Sequence, residues 1–134
     1  MKFNALVPEL SVTDIERSKW FYTELLGFRL EYERINDKFA FLSLNHAQLM
    51  IEEINGHWET DLLEYPLGRG VNFQITVEDI QPIVNRLNQH AIALFREPFV
   101  SEYTTGETII KEIEFLIQDP DGYLLRFSQE VNVK

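Results

Sequence analysis

The sequence predicts an α+β fold built from two tandem copies of one βαβββ module, about residues 1–64 and 65–134. Residues 12–15 (VTDI) match residues 77–80 (VEDI), 65 positions later. Residues 41–42 and 50–52 match residues 115–116 and 124–126, 74 positions later. Four anchors in the same order in both halves favour duplication of one module over chance similarity of short apolar runs.

A turn near the C-terminus fixes the order of the last two strands. Asp119-Pro120-Asp121-Gly122 has the residues of a type I turn, with a side-chain acceptor first and a glycine fourth. Because side chains alternate along a strand, Tyr123 and its alternate neighbours face one way, and Arg126 faces the other way.

Length and composition indicate one ordinary globular domain. The chain has 134 residues, of which 45% are hydrophobic. No apolar run approaches the roughly 20 residues of a membrane span. Pro8 and Glu9 come too early in the N-terminal segment for the apolar core of a signal peptide. We therefore expect a cytoplasmic protein with no membrane partner.

Cysteine content and net charge exclude several classes of function. The sequence has no Cys, which excludes disulfides, thiolate metal sites and a cysteine nucleophile. Its net charge of -10 argues against nucleic-acid binding, which depends on Lys and Arg against phosphate. The same charge favours a cationic partner only weakly, because acidic surfaces also keep proteins in solution.

The first module begins with an alternating strand over residues 5–12, and Pro8 predicts that this strand lies at a sheet edge or bends there. Residues 13–16 (TDIE) form a capping box that starts a helix, and Gly27 ends it. Trp20 falls off the apolar stripe of this helix and is expected to meet a second element or a partner subunit. Three strands are predicted to follow, over Phe28–Arg34, Lys38–Leu44 and Gln48–Ile54.

The second module repeats this order after a polar connector over residues 55–69. Residues 70–77 alternate cleanly as a strand, and Asp79 is predicted to cap a helix whose first turn tolerates Pro82. A strand over Ile92–Glu97, a longer loop through Tyr103 and a strand over Thr108–Gln118 precede the turn and the final strand.

Each sheet is thus expected to have one apolar face for its helix and one mixed face carrying groups such as Glu52, Gln74 and Arg126. Burying a charge is costly unless it is paired, so a concave polar face implies solvent or a ligand. The pattern favours a cleft enclosed by curled mixed sheets.

Three segments carry a family resemblance that covers essentially the whole chain. They are residues 10–28 (LSVTDIERSKWFYTELLGF), 70–80 (GVNFQITVEDI) and 119–127 (DPDGYLLRF). In this order and spacing they resemble the glyoxalase, bleomycin-resistance and extradiol-dioxygenase (vicinal oxygen chelate) superfamily. The resemblance implies paired βαβββ modules around a cleft.

In metal-dependent members, the first and last strand of each module supply the metal ligands. The resemblance places these positions at Val7, Glu52, Asn72 and Arg126. An alkyl group, a carboxylate, an amide and a cation make a poor donor set for a divalent metal. We therefore expect no metal and no cofactor, and a possible pairing of Arg126 with Glu52. The three histidines, His46, His57 and His90, are expected in exposed turns, connectors or helix ends.

Three functional hypotheses remain. The first is a bleomycin-resistance-like homodimer that sequesters a cationic, aromatic-bearing drug without metal. Its cleft would use Glu52, Trp58, Asn72, Gln74, Phe99, Tyr103 and Arg126, with Glu102 among the acidic residues that attract a cation. The second is a glyoxalase-like or dioxygenase-like enzyme, whose catalytic residues the sequence does not identify beyond Glu52 as a possible base. The third is a dimer that serves only protein interaction.

Overall fold

The computed structural model describes residues 1–131 and contains two four-stranded mixed sheets with few helices. This architecture confirms the predicted α+β class and the βαβββ order of each module. The chain divides into two compact units, with the boundary between Leu67 and Gly68. Each unit is described separately below.

The N-terminal unit is one sheet with one helix. Its elements are β1 (Glu9–Val12), α1 (Ile15–Trp20) with a π-helical continuation (Phe21–Leu25), β2 (Arg29–Arg34), β3 (Phe39–Leu44) and β4 (Ala47–Glu53). The strand order is β1-β4-β3-β2, with β1 parallel to β4 and the other pairs antiparallel. Strand β1 lies at the sheet edge, as the sequence predicted. It begins at Glu9, directly after Pro8.

The C-terminal unit has the same topology. Its elements are β5 (Asn72–Thr76), α2 (Gln81–Gln89), β6 (Arg96–Thr105), β7 (Thr108–Gln118) and β8 (Leu124–Glu130). The strand order is β5-β8-β7-β6, with β5 parallel to β8. Within residues 1–131, no helix has the length and apolar character needed to cross a bilayer.

Each unit buries one face of its sheet together with its helix. In the N-terminal unit the buried side chains include Leu10, Val12, Leu42 and Ile51 from strands and Tyr22, Leu25 and Leu26 from the helical segment. In the C-terminal unit they include Ile75, Phe115, Leu125 and Phe127 from strands and Ile83, Val84 and Leu87 from α2. Phe115 stacks on Phe127 with ring centroids 5.3 Å apart. The opposite face of the C-terminal sheet carries the polar side chains of Gln74, Glu114 and Arg126.

Both helix starts differ by one residue from the prediction. Asp14, rather than Thr13, is the N-cap of α1, and its carboxylate accepts a hydrogen bond from the backbone N–H of Arg17 at 3.1 Å. Asp79 accepts from the backbone N–H of Gln81 at 2.9 Å, but the N-cap position of α2 is Ile80. In both cases the aspartate still supplies an acceptor to the first turn.

The Asp119–Gly122 turn forms as predicted. The carbonyl of Asp119 accepts from the backbone N–H of Gly122 at 2.9 Å, and Gly122 has φ of 95°. The Asp119 carboxylate accepts from the backbone N–H groups of Asp121 and Tyr123 at 2.9 and 3.0 Å. A glycine is required there because a β-branched residue is strongly disfavoured at positive φ.

The predicted strand over Ile92–Glu97 and the loop through Tyr103 are wrong. Strand β6 instead runs over Arg96–Thr105 and pairs antiparallel with β7 through a two-residue turn that contains Gly106. The physical reason is that pairing with β7 satisfies the backbone N–H and C=O groups of this segment, including those of Phe99 and Tyr103.

The predicted spacing of 74 residues is also wrong. Glu9 pairs with Met50 in one sheet and Gln74 pairs with Arg126 in the other, so Met50 and Arg126 are equivalent and lie 76 positions apart. The second hairpin has five residues between its paired ends Gln118 and Leu124, whereas the first has two. Glu52 is therefore not the equivalent of Arg126.

Candidate functional site

One row of side chains crosses the polar face of the C-terminal sheet. Arg96 pairs with Leu116, Leu116 with Arg126, and Arg126 with Gln74, so one residue from each of the four strands lies in line. Directly paired residues project to the same face. The strand register therefore brings two arginines and one amide onto a single surface.

Arg126 is the centre of a polar network on this face. Its Nη1 lies 3.5 Å from Oε2 of Glu114 and donates to the hydroxyl of Tyr103 at 3.3 Å. Its Nη2 donates to Oε1 of Gln74 at 3.2 Å. The Tyr103 hydroxyl also donates a short hydrogen bond to Oε1 of Glu114. Each hydrogen bond to a charged group restrains the orientation of the guanidinium.

Glu114 is fully buried and was not among the predicted site residues. A buried carboxylate requires a cationic or hydrogen-bonding partner, and Arg126 and Tyr103 supply both. The sequence suggested Glu52 as the partner of Arg126, whereas within the C-terminal unit Arg126 pairs with Glu114. Side-chain alternation along β7 could have assigned Glu114 to the polar face, because it places this residue opposite to Phe115.

A pocket of about 360 Å³ opens on this polar face. Its lining includes four predicted site residues, Asn72, Phe99, Tyr103 and Arg126, together with Arg96 and Glu114. A fifth predicted residue, Gln74, is held against Arg126. The structure thus brings together five of the seven predicted residues in one unit.

The other two predicted residues, Glu52 and Trp58, meet in the N-terminal unit. The indole Nε1 of Trp58 donates to Oε1 of Glu52 at 3.1 Å, and the side-chain amide of Asn55 donates to the same oxygen at 2.9 Å. The Trp58 side chain is 65% exposed. A stacking surface is therefore fixed beside a carboxylate.

Glu52 also lines a pocket of about 530 Å³ in the N-terminal unit. Its ionisable lining groups are the carboxylates of Asp37, Glu52 and Glu53, the ammonium of Lys38 and the imidazole of His57. On the adjacent strand, burial followed by the charge of Glu52 raises the pKa of Glu9. The lining of this pocket therefore has an excess of formal negative charge, with three carboxylates and one ammonium.

An aromatic cluster lies on the face of the N-terminal sheet opposite the helix. Tyr32 stacks on Phe41 with centroids 5.3 Å apart, and Phe3 packs edge-on against Phe41 at 5.3 Å. The guanidinium of Arg34 lies 3.9 Å from the centroid of the Phe39 ring. This cluster was not predicted. The sequence pattern matched Phe41 with Phe115, whereas strand pairing makes Phe41 the equivalent of Leu116, on the opposite face of the sheet from Phe115.

The residues present do not fit a divalent metal site. Among the residues that the structure describes, no group of three or more His, Asp or Glu side chains could hold one ion. A guanidinium has no lone pair to donate, so Arg126 cannot be a ligand. His46, His57 and His90 all lie on the exposed surface, at a turn, in the connector and at a helix end, as expected.

Comparison with known proteins gives a consistent relationship. The model of the Glyoxalase/Bleomycin resistance protein/Dioxygenase superfamily matches residues 3–127. A lactoylglutathione lyase of Haemophilus influenzae is 29% identical over 130 residues, which are 93% of this chain and 91% of that protein.

Two solved structures share the fold. A glyoxalase/bleomycin resistance protein/dioxygenase from Alicyclobacillus acidocaldarius has a TM-score of 0.64 and 22% identity, over 96% of this chain and 92% of its own. A virulence protein from Salmonella typhimurium has a TM-score of 0.68 and 24% identity, over 98% of this chain and 100% of its own.

Proposed function

This chain belongs to the glyoxalase/bleomycin resistance protein/dioxygenase superfamily, and from that membership we propose that it is a metal-free binding protein for small aromatic-bearing molecules, of the bleomycin-resistance type. The observation that carries the proposal is the position of Arg126. It stands where the resemblance places a metal ligand, yet its guanidinium is committed to Glu114, Tyr103 and Gln74.

The cationic part of the ligand is assigned to the acidic pocket of the N-terminal unit. That pocket is lined by three carboxylates and only one ammonium group, so negative charge is in excess there. Trp58 does not line the pocket itself, but its exposed indole is hydrogen-bonded to Glu52, which does. A cation over an indole face gains about 0.5 to 2 kcal/mol, depending on its desolvation. This combination supports binding of a cationic molecule with an aromatic group.

A fluorescence titration tests this assignment. In a Trp20→Phe background Trp58 is the remaining indole, and we expect saturable quenching by benzyltrimethylammonium and by bleomycin. Glu52→Gln should weaken binding about fivefold, for a loss of roughly 1 kcal/mol. The matched control is Glu78→Gln, which removes one exposed charge outside the N-terminal unit. Equal loss in both variants, or no quenching by either cation, would reject the assignment.

A homodimer is the proposed assembly. The connector after β4 exposes three large side chains, with Trp58 at 65%, Leu62 at 77% and Tyr65 at 64%, and Trp20 on the helix is 45% exposed. Exposed apolar groups clustered in one segment are typical of interaction surfaces. Light scattering should give twice the 15.8 kDa of one chain, and a monomer mass at the same concentration would contradict the proposal.

The alternative is a lyase or oxidoreductase of the same fold, which the similarity to lactoylglutathione lyase favours. Such metal-dependent chemistry needs donors that Val7 and Arg126 do not provide. Elemental analysis after dialysis against zinc, nickel or manganese separates the two. We expect well below one equivalent of metal per chain, and a stoichiometric metal would support the enzyme instead.

A further inference from the structure

The pocket of the C-terminal unit has the opposite charge from the chain as a whole. Its lining contains the fixed cations Arg96 and Arg126 and a single carboxylate, Glu114. These groups sum to a formal charge of one positive, in a protein whose net charge is -10. A pocket of this kind repels cations locally and favours a monoanion.

Arg126 retains hydrogen-bonding capacity that the protein does not use. Nη1 and Nη2 are directed to Tyr103 and Gln74, but the buried Nε has no acceptor among residues 1–131. Oε2 of the fully buried Glu114 likewise lacks a hydrogen-bond donor in that part of the chain, although it lies in ion-pair range of Arg126. The Arg126 side chain is 28% exposed. Nη2 carries two N–H groups and donates only one of them to Gln74, so a ligand oxygen can still accept a hydrogen bond from this guanidinium.

Arg96 places the second cation in the same row. Strand β7 lies between the strands of Arg96 and Arg126, so their backbones are about 10 Å apart, which is two strand spacings. Its guanidinium lies 5.3 Å from the centroid of the Phe99 ring. Arginine side chains are long enough for both guanidinium groups to approach one anion between them, while the Phe99 ring offers an apolar surface beside it.

We propose that this pocket binds the carboxylate of a small aromatic acid, with the carboxylate between Arg96 and Arg126 and the ring against Phe99 and Tyr103. A planar carboxylate matches the fork of a guanidinium. A dianionic phosphate is disfavoured because buried Glu114 leaves only one excess positive charge to balance it. The site lies in the C-terminal unit and does not depend on the proposed cation site.

Amide-resolved NMR of the labelled full chain tests the charge preference. Benzoate, benzamide and benzylammonium have similar shapes and charges of minus one, zero and plus one. We expect benzoate alone to shift amides of β6, β7 and β8 saturably, with a Kd on the order of 1 mM for so small a ligand. Shifts of the same amides by benzylammonium of equal size, or no saturable shift by benzoate, would overturn the proposal.

Arg96→Gln provides the site test, since Arg96 is exposed and its replacement leaves the Arg126–Glu114 pair intact. We expect benzoate affinity to fall about tenfold, which is the usual loss for one charge-assisted contact. The matched control is Arg29→Gln, an 80% exposed arginine in the N-terminal unit, which should leave affinity unchanged. Equal affinity of the Arg96 variant and the parent protein would refute the site. A failed cation titration of Trp58 would reject the proposed cation site in the N-terminal unit, but it would not affect the benzoate site.

Discussion

Glu53, on the last strand of the N-terminal sheet, accepts a hydrogen bond from the backbone N–H of Ile15 at 3.1 Å. Ile15 is the first residue of α1, so the carboxylate satisfies a backbone donor that has no partner within the helix. In the C-terminal unit, the side-chain oxygen of Gln129 accepts from the backbone N–H of Ile80, the N-cap residue of α2, at 3.0 Å. Each module thus ties its helix start to its last strand through a side-chain oxygen.

This equivalence predicts that Glu53→Gln is tolerated and Glu53→Ala is not. Glutamine keeps the acceptor, as Gln129 demonstrates, and loses only a partly exposed ion pair with Lys38. Alanine removes the acceptor and should lower the free energy of unfolding by about 1 kcal/mol more than glutamine does. Urea denaturation of the two variants measures the difference, and equal midpoints would show that the contact contributes nothing.

The same contact predicts a pH dependence. The backbone hydrogen bond from Ile15, and then the Lys38 ammonium, hold the pKa of Glu53 below its usual 4.5. Stabilisation by the charged form is therefore complete above the unfolded pKa and is lost as pH falls through the lower folded value. The stability difference between the parent and Glu53→Gln should be constant near neutrality and should shrink below about pH 4.5. A difference independent of pH down to 3 would contradict this.

The sequence was sufficient for the fold because its strongest patterns are local. Alternation over residues 70–77, the Asp119–Gly122 turn and the helix-ending Gly27 each depend on neighbours along the chain. The hairpin of β6 and β7 was mispredicted because its alternation is weak and many of its residues are exposed. Pairing with β7, a tertiary effect, decides its structure.

The site was less predictable because it depends on register between strands. A repeat spacing of 74 appeared constant in the sequence, yet strand pairing makes the last-strand spacing 76. That difference moved the equivalent of Arg126 from Glu52 to Met50. Glu114 was overlooked because alternation indicates which face it lies on but not that it is buried. Asn72, Gln74 and Arg126 nonetheless lie together, since alternation had already placed these polar groups on one face of the sheet. Phe99 and Tyr103 join them through the β6 strand, which was not predicted.

A prediction about packing concerns Gly68, which has φ of +73°. A Cβ there would lie 2.5 Å from Cδ1 of Tyr123, a nearly buried ring that cannot easily move. Gly68→Ala should cost about 3 kcal/mol, from backbone strain and the clash together. Gly56→Ala has a similar φ of +86° with no atom within 4 Å, so it should cost only the strain, about 1 kcal/mol. Equal thermal midpoints for the two variants would show that the contact with Tyr123 adds nothing to the cost of Gly68→Ala.

The last prediction concerns the Arg126–Glu114 pair, whose carboxylate is fully buried while the arginine side chain is 28% exposed. Arg126→Met should cost about 3 to 5 kcal/mol, because it leaves the carboxylate buried without a counter-ion. In Glu114→Gln the amide oxygen still accepts from Tyr103, and the more exposed arginine can reach water, so the cost should be smaller. If the buried charge is the main penalty, the double variant should be more stable than Arg126→Met alone. Chemical denaturation of all four proteins gives the coupling, and additive effects within about 0.5 kcal/mol would mean that the two residues do not stabilise each other.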